Sequence, residues 1–331
     1  MAHRRNLAII AAGLALAACG GGSPSTASPS ASVAPSPPVV ASSASPGASK
    51  SADIVVGGDR PVTVHVPPGY DPQHPAPLLI GLHGYGSSGA EQEAYFRLGD
   101  LARQGGYLYA FPDGTRNKSD IRFWNGTDAC CDFDKSGVDE VGYLAGVIKE
   151  IQARFPVDPR RIDVIGHSNG AFMTYAMACA HADEIAAIVS LAGATFQTLE
   201  KCAPSVPVAV VQIHGTADDE VAFGGGTVQP GQVPGSGSAT MAAYPGAEDT
   251  AIDWATYDGC TDKQVLDQRL DIDTHLEDAG SPGETTVTRW SGCRPGGAVE
   301  LWTMKDGVHI PSLSTSFPED VMDFFKAHPK P

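Results

Sequence analysis

The stretch RRIDVIGHSNGAFM, residues 160–173, runs from an apolar strand into an apolar helix through a corner that holds one serine. Gly166-His167-Ser168-Asn169-Gly170 fits the pattern G-x-S-x-G. Glycines flank the serine in this pattern because side chains there would collide with the neighbouring strand and helix. The turn lifts the hydroxyl out of the sheet and points a helix N-terminus at it. Ser168 is therefore either a nucleophile or the N-cap of a helix predicted over residues 169–181.

An acid and a histidine follow Ser168 at the ends of two further predicted strands. The strand at 206–213 runs into His-Gly-Thr-Ala-Asp, which ends at Asp218, and the strand at 298–304 runs into a loop that holds His309. Serine, acid, then histidine is the chain order of an α/β-hydrolase triad. Asp218 would hold the imidazole tautomer while His309 takes and returns the serine proton. Asp219 is the alternative acid, and a solvated acidic turn with an ordinary loop histidine is the non-catalytic interpretation.

Two backbone amides are the predicted oxyanion hole. One belongs to Asn169, directly after the nucleophile, and the other to Tyr85 in the glycine-rich loop that follows the third strand, residues 82–89. Amides in these two places can point at the charge that develops on a carbonyl oxygen. We expect His83, in the same loop, to be structural.

Strands and helices alternate along the sequence. This order predicts an α/β fold, a mostly parallel central sheet with helices on both faces, in which ligands bind at the carboxyl ends of the strands. The predicted strands are 53–56, 61–66, 78–82, 107–111, 161–166, 185–191, 206–213 and 298–304, and the predicted helices are 91–104, 138–155, 169–181 and 249–257.

The N-terminal region is predicted to be a signal and a tether rather than part of the fold. Residues 1–19 hold two arginines, a short apolar run and Leu16-Ala17-Ala18-Cys19, which resembles the lipobox of bacterial lipoproteins. The resemblance implies a lipid on Cys19 that anchors the protein to the outer face of a bacterial membrane. An ordinary secretory signal is the alternative. Residues 20–52, rich in Ser, Pro and Ala, are predicted to be a disordered linker, and residues 53–331 one catalytic domain.

Charge and cysteine content narrow the partners and the compartment. The formal net charge is −16, and it becomes −18 when the signal removes Arg4 and Arg5 and no acid, which argues against a nucleic-acid partner. Of seven cysteines, six remain after Cys19, an even number that favours disulfides in an exported protein. Sequence proximity pairs Cys179 with Cys202 and Cys260 with Cys293. Adjacent Cys130 and Cys131 would form either a strained vicinal bridge or two thiols.

Several motifs together resemble one family. GHSNGAFM at 166–173, HGTAD at 214–218, LHGYG at 82–86 and the segment from Phe123 to Cys131 look like the extracellular polyhydroxybutyrate depolymerase and feruloyl esterase group of α/β-hydrolases. In that group the triad falls on Ser168, Asp218 and His309. The chain departs from the group where Asp306-Gly307-Val308 precedes the histidine and where a glycine-rich insertion, 224–237, follows the acid. Because these loops shape the substrate site, substrate preference is open.

The sequence thus predicts an exported serine esterase for feruloyl-type, acetyl or hydroxyalkanoate esters, polymeric or not. Trp124 and Asn125 would give a flat face for an aromatic acyl group or a polymer chain, with a buried packing tryptophan as the alternative. We expect no cofactor, because dinucleotide and phosphate fingerprints are missing, and no metal, because residues 113–120 lack the spacing of a calcium loop. Two other functions stay open: an acyltransferase with the same triad, and a non-catalytic binding lipoprotein on this scaffold.

Overall fold

The architecture is a single large sheet with its accessory strands and helices. The computed structural model describes residues 53–228, 240–276 and 283–331, so the predicted signal and linker, 1–19 and 20–52, lie outside the described residues. The described strands are β1 (Ile54–Val56), β2 (Val62–His65), β3 (Ala76–Leu82), β4 (Leu108–Ala110), β5 (Thr115–Arg116), β6 (Arg122–Phe123), β7 (Val157–His167), β8 (Ala187–Leu191), β9 (Ala209–Gly215), β10 (Gly226–Thr227), β11 (Ala243–Tyr244), β12 (Asp262–Leu270), β13 (Thr285–Ser291) and β14 (Ala298–Met304).

Ten of the described strands form the central sheet, in the order β1-β2-β4-β3-β7-β8-β9-β14-β13-β12. The run from β4 to β14 in that order is parallel. Antiparallel strands extend it at both edges. Strands β3, β8 and β9 are buried at every residue, as expected of parallel strands covered on both faces. The carboxyl ends of the parallel strands therefore meet at one edge, where such sheets bind ligands.

Helices cover both faces of the sheet. They are α1 (Gly89–Phe96), α2 (Gly99–Gln104), α3 (Glu140–Arg154), α4 (Asn169–Ala180), α5 (Ala247–Asp258) and α6 (Phe317–Ala327). Apolar side chains of α3, α4 and α5 pack on one face of the sheet, and those of α1, α2 and α6 pack on the other. The predicted α/β class is confirmed, and the ends of the predicted strands and helices differ from the observed ends by only a few residues.

The single helix predicted over 91–104 is wrong, because two helices occupy this segment. The chain leaves helical geometry at Arg97, which has a φ of 54°, and the Arg97 amide closes α1 by donating to the Glu93 carbonyl. The Arg97 guanidinium donates to the carbonyls of Leu313 and Ser314, more than 200 residues away in sequence. These long-range bonds hold the break in place, and nothing in the local apolar spacing signals them.

Besides the two-residue strands β5, β6, β10 and β11, the β12–β13 pair and α6 were not predicted. Both lie in the C-terminal part of the chain, where short apolar runs are separated by charged residues. Helix α6 buries Phe317, Val321 and Phe325 completely against the sheet. It therefore completes the core on the face that α1 and α2 cover only in part.

Three disulfides are present among the described residues. Cys179 is bonded to Cys202 and Cys260 to Cys293, as predicted. Adjacent Cys130 and Cys131 form a vicinal disulfide, so of the two alternatives the structure has the bridge. Within the described ranges, no helix combines the length and the apolar character needed to cross a bilayer.

Candidate active site

Ser168 sits in a strained corner between β7 and α4. Its φ is 54° and its ψ is −120°, a conformation that costs a non-glycine residue about 1–3 kcal/mol. The backbone holds it there: the Ser168 amide donates to the Leu191 carbonyl at 2.8 Å, and the Ser168 carbonyl accepts from the amides of Ala171 and Phe172. The side chain makes no capping hydrogen bond to the helix. The geometry therefore fits an exposed hydroxyl better than a helix cap.

The two glycines of the motif are required by close backbone contacts. A Cβ on Gly166 would lie 2.2 Å from the Gly170 carbonyl oxygen, and one on Gly170 would lie 2.3 Å from the Leu82 carbonyl oxygen. Backbone atoms at such distances cannot move aside cheaply. The turn can close on itself at Gly166, and can approach the end of β3 at Gly170, only because these residues lack a side chain.

This contact predicts the effect of a Gly170→Ala substitution. We expect it to lower the free energy of unfolding by about 3 kcal/mol, because the added methyl group meets backbone atoms of Leu82 and His83. Gly146 in α3 is the matched control, since a Cβ there meets nothing within 4 Å. Gly146→Ala should stabilise the protein by about 0.5–1 kcal/mol. Thermal unfolding of both variants measures the difference, and equal effects would contradict the packing argument.

Ser168, His309 and Asp218 form a continuous hydrogen-bonded row at the carboxyl edge of the sheet. Ser168 Oγ lies 2.9 Å from His309 Nε2, and His309 Nδ1 lies 2.9 Å from Asp218 Oδ2. The other carboxylate oxygen, Oδ1, accepts from the amides of Glu220 and Val221 at 3.0 and 2.8 Å. Asp219, the alternative acid, points outward and is exposed.

The loops that carry Asp218 and His309 are joined to each other. Strands β9 and β14 are parallel neighbours whose last residues, Gly215 and Met304, face each other. Beyond them the Ala217 amide donates to the Gly307 carbonyl at 2.9 Å, and the Asp306 amide donates to the Thr216 hydroxyl at 2.8 Å. The acid and the histidine are thus positioned by one bonded pair of turns.

Electrostatics favour an ionised acid and a neutral neighbouring histidine. Burial by itself would raise the pKa of Asp218, but hydrogen bonds from His214 and His309 lower that pKa well below its usual range. His167, inside the motif, is buried, and burial together with nearby His309 lowers its pKa to about 3. His167 is therefore uncharged and donates from Nε2 to the His309 carbonyl at 3.0 Å. It supports the histidine loop without competing as a base.

The predicted oxyanion amides lie on either side of Ser168. In the described ranges, neither the Tyr85 amide nor the Asn169 amide donates a hydrogen bond to the protein. The Tyr85 loop passes close to the nucleophile, since a Cβ on Gly84 would lie 3.5 Å from Ser168 Cβ. His83 anchors the loop: Nδ1 donates to the Gly84 carbonyl at 2.7 Å, while Nε2 accepts from the Gly114 amide at 2.9 Å. Burial lowers the pKa of His83, in keeping with the structural role expected for it.

Trp124 and Asn125 do not line the cavity, so their predicted role in substrate binding is wrong. The Trp124 side chain is completely buried, and its indole N–H donates to the His83 carbonyl at 3.0 Å. Its backbone exchanges two hydrogen bonds with the Asn169 side chain, at 2.7 and 2.8 Å. Asn125 donates to the Val138 carbonyl. Trp124 therefore supports the loop that carries Tyr85 and the start of α4. This is the alternative interpretation, a buried packing tryptophan.

A cavity of about 660 Å³ opens beside the Ser168 hydroxyl. Its wall is largely apolar and includes the Cys130–Cys131 disulfide and Val221. Three carboxylate residues, Glu91, Asp120 and Glu220, also line it. Part of the glycine-rich insertion reaches the wall at Val228, while residues 229–237 lie outside the described residues. The pocket is large enough for an aromatic or branched acyl group.

Several residues of the site were not identified as functional from the sequence: His214, the Cys130–Cys131 disulfide and the carboxylates that line the cavity. His214 is completely buried, and its Nε2 lies 3.2 Å from Asp218 Oδ2. Its position four residues before the acid was visible in the HGTAD motif, but a single histidine in a strand does not reveal its partner. The cavity-lining disulfide and carboxylates come from loops that only the fold brings together. In the described part of the chain, no group of three or more His, Cys, Asp or Glu side chains is arranged to hold a metal ion.

Known proteins similar to this chain are esterases. A family model described as phospholipase/carboxylesterase matches residues 69–229. Feruloyl esterase B of Piromyces equi is 29% identical over 253 residues, which are 76% of this chain and 42% of that protein. A putative esterase of Nocardia uniformis subsp. tsuyamanensis is 26% identical over 244 residues, 73% of this chain and 67% of that protein. The chain thus spans less than half the length of the feruloyl esterase.

A solved structure agrees with the fold. The acetyl xylan esterase from Aspergillus awamori superposes with a TM-score of 0.54 at 14% identity, over 83% of this chain and 98% of that one. At this identity the likeness shows the fold alone, and it confirms the predicted α/β-hydrolase fold. The family model and the relatives confirm the esterase part of the resemblance, while the polyhydroxybutyrate part stays a prediction. The chain has the α/β-hydrolase fold, and in sequence it is similar to carboxylic ester hydrolases.

Proposed function

We propose that this protein is a serine esterase that hydrolyses carboxylic esters through Ser168, His309 and Asp218. The observation that carries the proposal is the row from Asp218 Oδ2 through His309 to Ser168 Oγ, with both links at 2.9 Å, opening onto a cavity of about 660 Å³. The esterases among the relatives support the same reaction type.

The chemistry follows from the geometry. Ser168 Oγ attacks the ester carbonyl carbon while His309 Nε2 takes the hydroxyl proton, and Asp218 stabilises the imidazolium that forms. The oxyanion is held by the amides of Tyr85 and Asn169. The bond to the alcohol then breaks, and His309 protonates the leaving oxygen. Water, deprotonated by His309, attacks the acyl-enzyme, and the bond to Ser168 Oγ breaks as the serine regains its proton. No step needs a cofactor.

A fluorophosphonate probe tests the nucleophile in the whole protein. We expect one covalent adduct, on the peptide that contains Ser168, and we expect esters that are turned over to slow its formation. A probe that reacts elsewhere, or not at all, would contradict the mechanism. Adding an alcohol acceptor to the turnover assay separates hydrolysis from acyl transfer, because a transferase would give more new ester than free acid.

The substrate is proposed to be a feruloyl-type or acetyl ester, or a hydroxyalkanoate oligomer. The apolar wall beside Ser168 suits a hydrocarbon or aromatic acyl group. A panel of methyl ferulate, p-nitrophenyl acetate, p-nitrophenyl butyrate and hydroxybutyrate oligomers distinguishes these classes by kcat/KM. With each kcat/KM divided by the rate with hydroxide alone, methyl ferulate should exceed p-nitrophenyl acetate if the cavity holds an aromatic acyl group, and the reverse order would favour the acetyl branch.

The charges around the cavity predict discrimination against anionic esters. Glu91, Asp120 and Glu220 line it, and no lysine or arginine does so among the described residues. Hydroxyls of Ser88 and Ser87 lower the pKa of Glu91, so this carboxylate stays ionised. We expect p-nitrophenyl hexanoate to exceed mono-p-nitrophenyl adipate by about tenfold in kcat/KM at low salt, with the ratio shrinking as salt is added.

Rates with hydroxide alone correct this comparison for the intrinsic reactivity of the two esters. Equal corrected values, or a preference for the adipate, would show that the carboxylates do not govern access to Ser168. The same preference would make a hydroxybutyrate oligomer with a free terminal carboxylate a poorer substrate than one capped as a methyl ester.

We also propose that the protein is exported, with residues 1–19 as a signal, 20–52 as a linker and 53–331 as the catalytic domain. The three disulfides support an oxidising compartment. Attachment of lipid to Cys19 would hold the enzyme at the outer face of a bacterial membrane. Metabolic labelling with a fatty acid, compared between wild type and Cys19→Ala, tests the anchor, and label retained in the variant would place the lipid elsewhere.

A further inference from the structure

A row of buried polar side chains lies directly behind the proposed triad. It starts at Tyr175 in α4 and passes through Gln212 and His214, both in β9, to Asp218. The Tyr175 hydroxyl donates to Gln212 Oε1 at 2.6 Å, and Gln212 Nε2 lies 3.0 Å from His214 Nδ1. Tyr175, Gln212 and His214 are each no more than 1% exposed. The catalytic scheme uses none of these three, yet the last of them, His214, contacts its acid.

The row fixes which nitrogen of His214 carries the proton. Gln212 Nε2 also donates to the Gly193 carbonyl at 2.7 Å. Because a carbonyl can only accept, this contact sets the orientation of the amide, and its second N–H points at His214 Nδ1. Burial raises the pKa of Tyr175 far above its ordinary value, so the hydroxyl stays a donor to Gln212 Oε1. His214 Nδ1 is therefore an acceptor, and the proton is on Nε2.

His214 Nε2–H is shared between two acceptors at the site. It lies 2.7 Å from the Val221 carbonyl oxygen and 3.2 Å from Asp218 Oδ2. Asp218 Oδ2 is the same oxygen that His309 Nδ1 approaches at 2.9 Å. One carboxylate oxygen thus accepts from two imidazoles, and the other accepts from two backbone amides. The four donors leave the carboxylate a single orientation.

We propose that His214 is a positioning residue for the triad, which holds Asp218 in place and draws part of its negative charge away from His309. The inference rests on the proposed function, because it assigns His309 as the base. Loss of the hydrogen-bond partner behind a metal-ligating side chain costs about 10–100-fold in affinity or activity, and we expect an effect of the same order for a catalytic carboxylate. With less of the Asp218 charge available, the His309 imidazolium that forms during the reaction is less stabilised.

The other titratable groups around Asp218 and His309 do not account for a change in the stability of the His309 imidazolium. They are Glu220 in the loop after β9, whose Oε2 lies 3.8 Å from His309 Nε2, His167 at the end of β7, Tyr244 in β11 and Tyr95 in α1. Burial raises the pKa of both tyrosines and lowers that of His167, so all three stay uncharged where an imidazole ordinarily titrates. Glu220 is unchanged in both His214 variants, so it cannot account for a difference between their pH profiles.

The test compares His214→Gln with His214→Met in the full-length protein. The glutamine Nε2 can replace the imidazole Nε2 as a donor to Asp218, whereas methionine has nearly the same shape and no donor. For His214→Met we expect kcat to fall about tenfold with little change in KM. We also expect the acidic limb of the kcat/KM profile to move upward by about half a pH unit. His214→Gln should restore most of both.

Each outcome decides the matter. If both variants lose activity alike, without movement of the acidic limb, His214 only fills space. A limb that moves downward would reverse the proposed sign. Near-UV circular dichroism and thermal unfolding monitor folding. If His214→Met does not fold, His214→Leu, which also lacks a donor, takes its place, and an acidic limb at the wild-type position in that variant would refute the charge argument. A wild-type activity independent of Ser168 would instead overturn the proposed function itself.

Discussion

Ser168→Ala is expected to lower kcat/KM for every ester that the protein hydrolyses by about 10⁴-fold or more. The hydroxyl that lies 2.9 Å from His309 Nε2 would be lost, and no other hydroxyl takes that position among the described residues. The fold should be unaffected, because the Ser168 side chain does not cap α4. Initial rates and the thermal unfolding midpoint, measured on the same preparation, check both halves of the prediction.

Ser88→Ala is the matched control, because Ser88 does what Ser168 does not. Its hydroxyl accepts from the Glu91 amide and caps α1. It does not line the cavity. We expect Ser88→Ala to lose about 1 kcal/mol of stability and to retain esterase activity. If Ser168→Ala behaves like Ser88→Ala, losing stability and keeping turnover, Ser168 is a helix cap and a binding function becomes the better proposal.

Asp218→Asn is expected to lower kcat by about 10³–10⁴-fold. All the groups that face the Asp218 carboxylate are donors: two imidazole N–H groups and two backbone amides. An asparagine has one acceptor oxygen, and its NH₂ group would face donors wherever it turned. To relieve this conflict, His309 must give up the tautomer that leaves Nε2 free to accept the serine proton.

Asp219→Asn is the control for this change, with the same chemistry one residue along the chain. Asp219 is exposed, and His309 Nδ1 contacts Asp218 instead. We expect a change of no more than a few-fold for Asp219→Asn. Steady-state rates of the two variants suffice, and a collapse of activity in Asp219→Asn with Asp218→Asn near wild type would assign the acid to the neighbour.

The sheet and the tight turn at Ser168 could be predicted because the sequence features that cause them are local. Gly166 and Gly170 flank Ser168 at a spacing that a tight strand-to-helix turn demands, and the structure shows the clash that each would create with a side chain. Strands β9 and β14 are apolar runs that end just before polar loops. Parallel strands end at one edge, so Asp218 and His309 were expected near Ser168, and the structure places them there.

Contacts between distant segments explain what the sequence did not reveal. The break at Arg97 depends on carbonyls of Leu313 and Ser314. The burial of Trp124 depends on the side chain of Asn169. A tryptophan in a polar loop has the same local pattern whether it faces a cavity or lies beneath one. The partner of a buried polar or aromatic residue is thus a property of the fold, and short-range spacing does not contain it.

The bonded turns after β9 and β14 have a consequence for how this scaffold tolerates change. The segment between them holds α5, β12 and β13, and β12 is the outermost strand of the sheet. Since turn-to-turn bonds fix the acid relative to the base, the loops of that segment can change length without altering their spacing. Loops that contact the acyl or alcohol group can therefore differ between related proteins, while the spacing of the acid and the histidine stays the same.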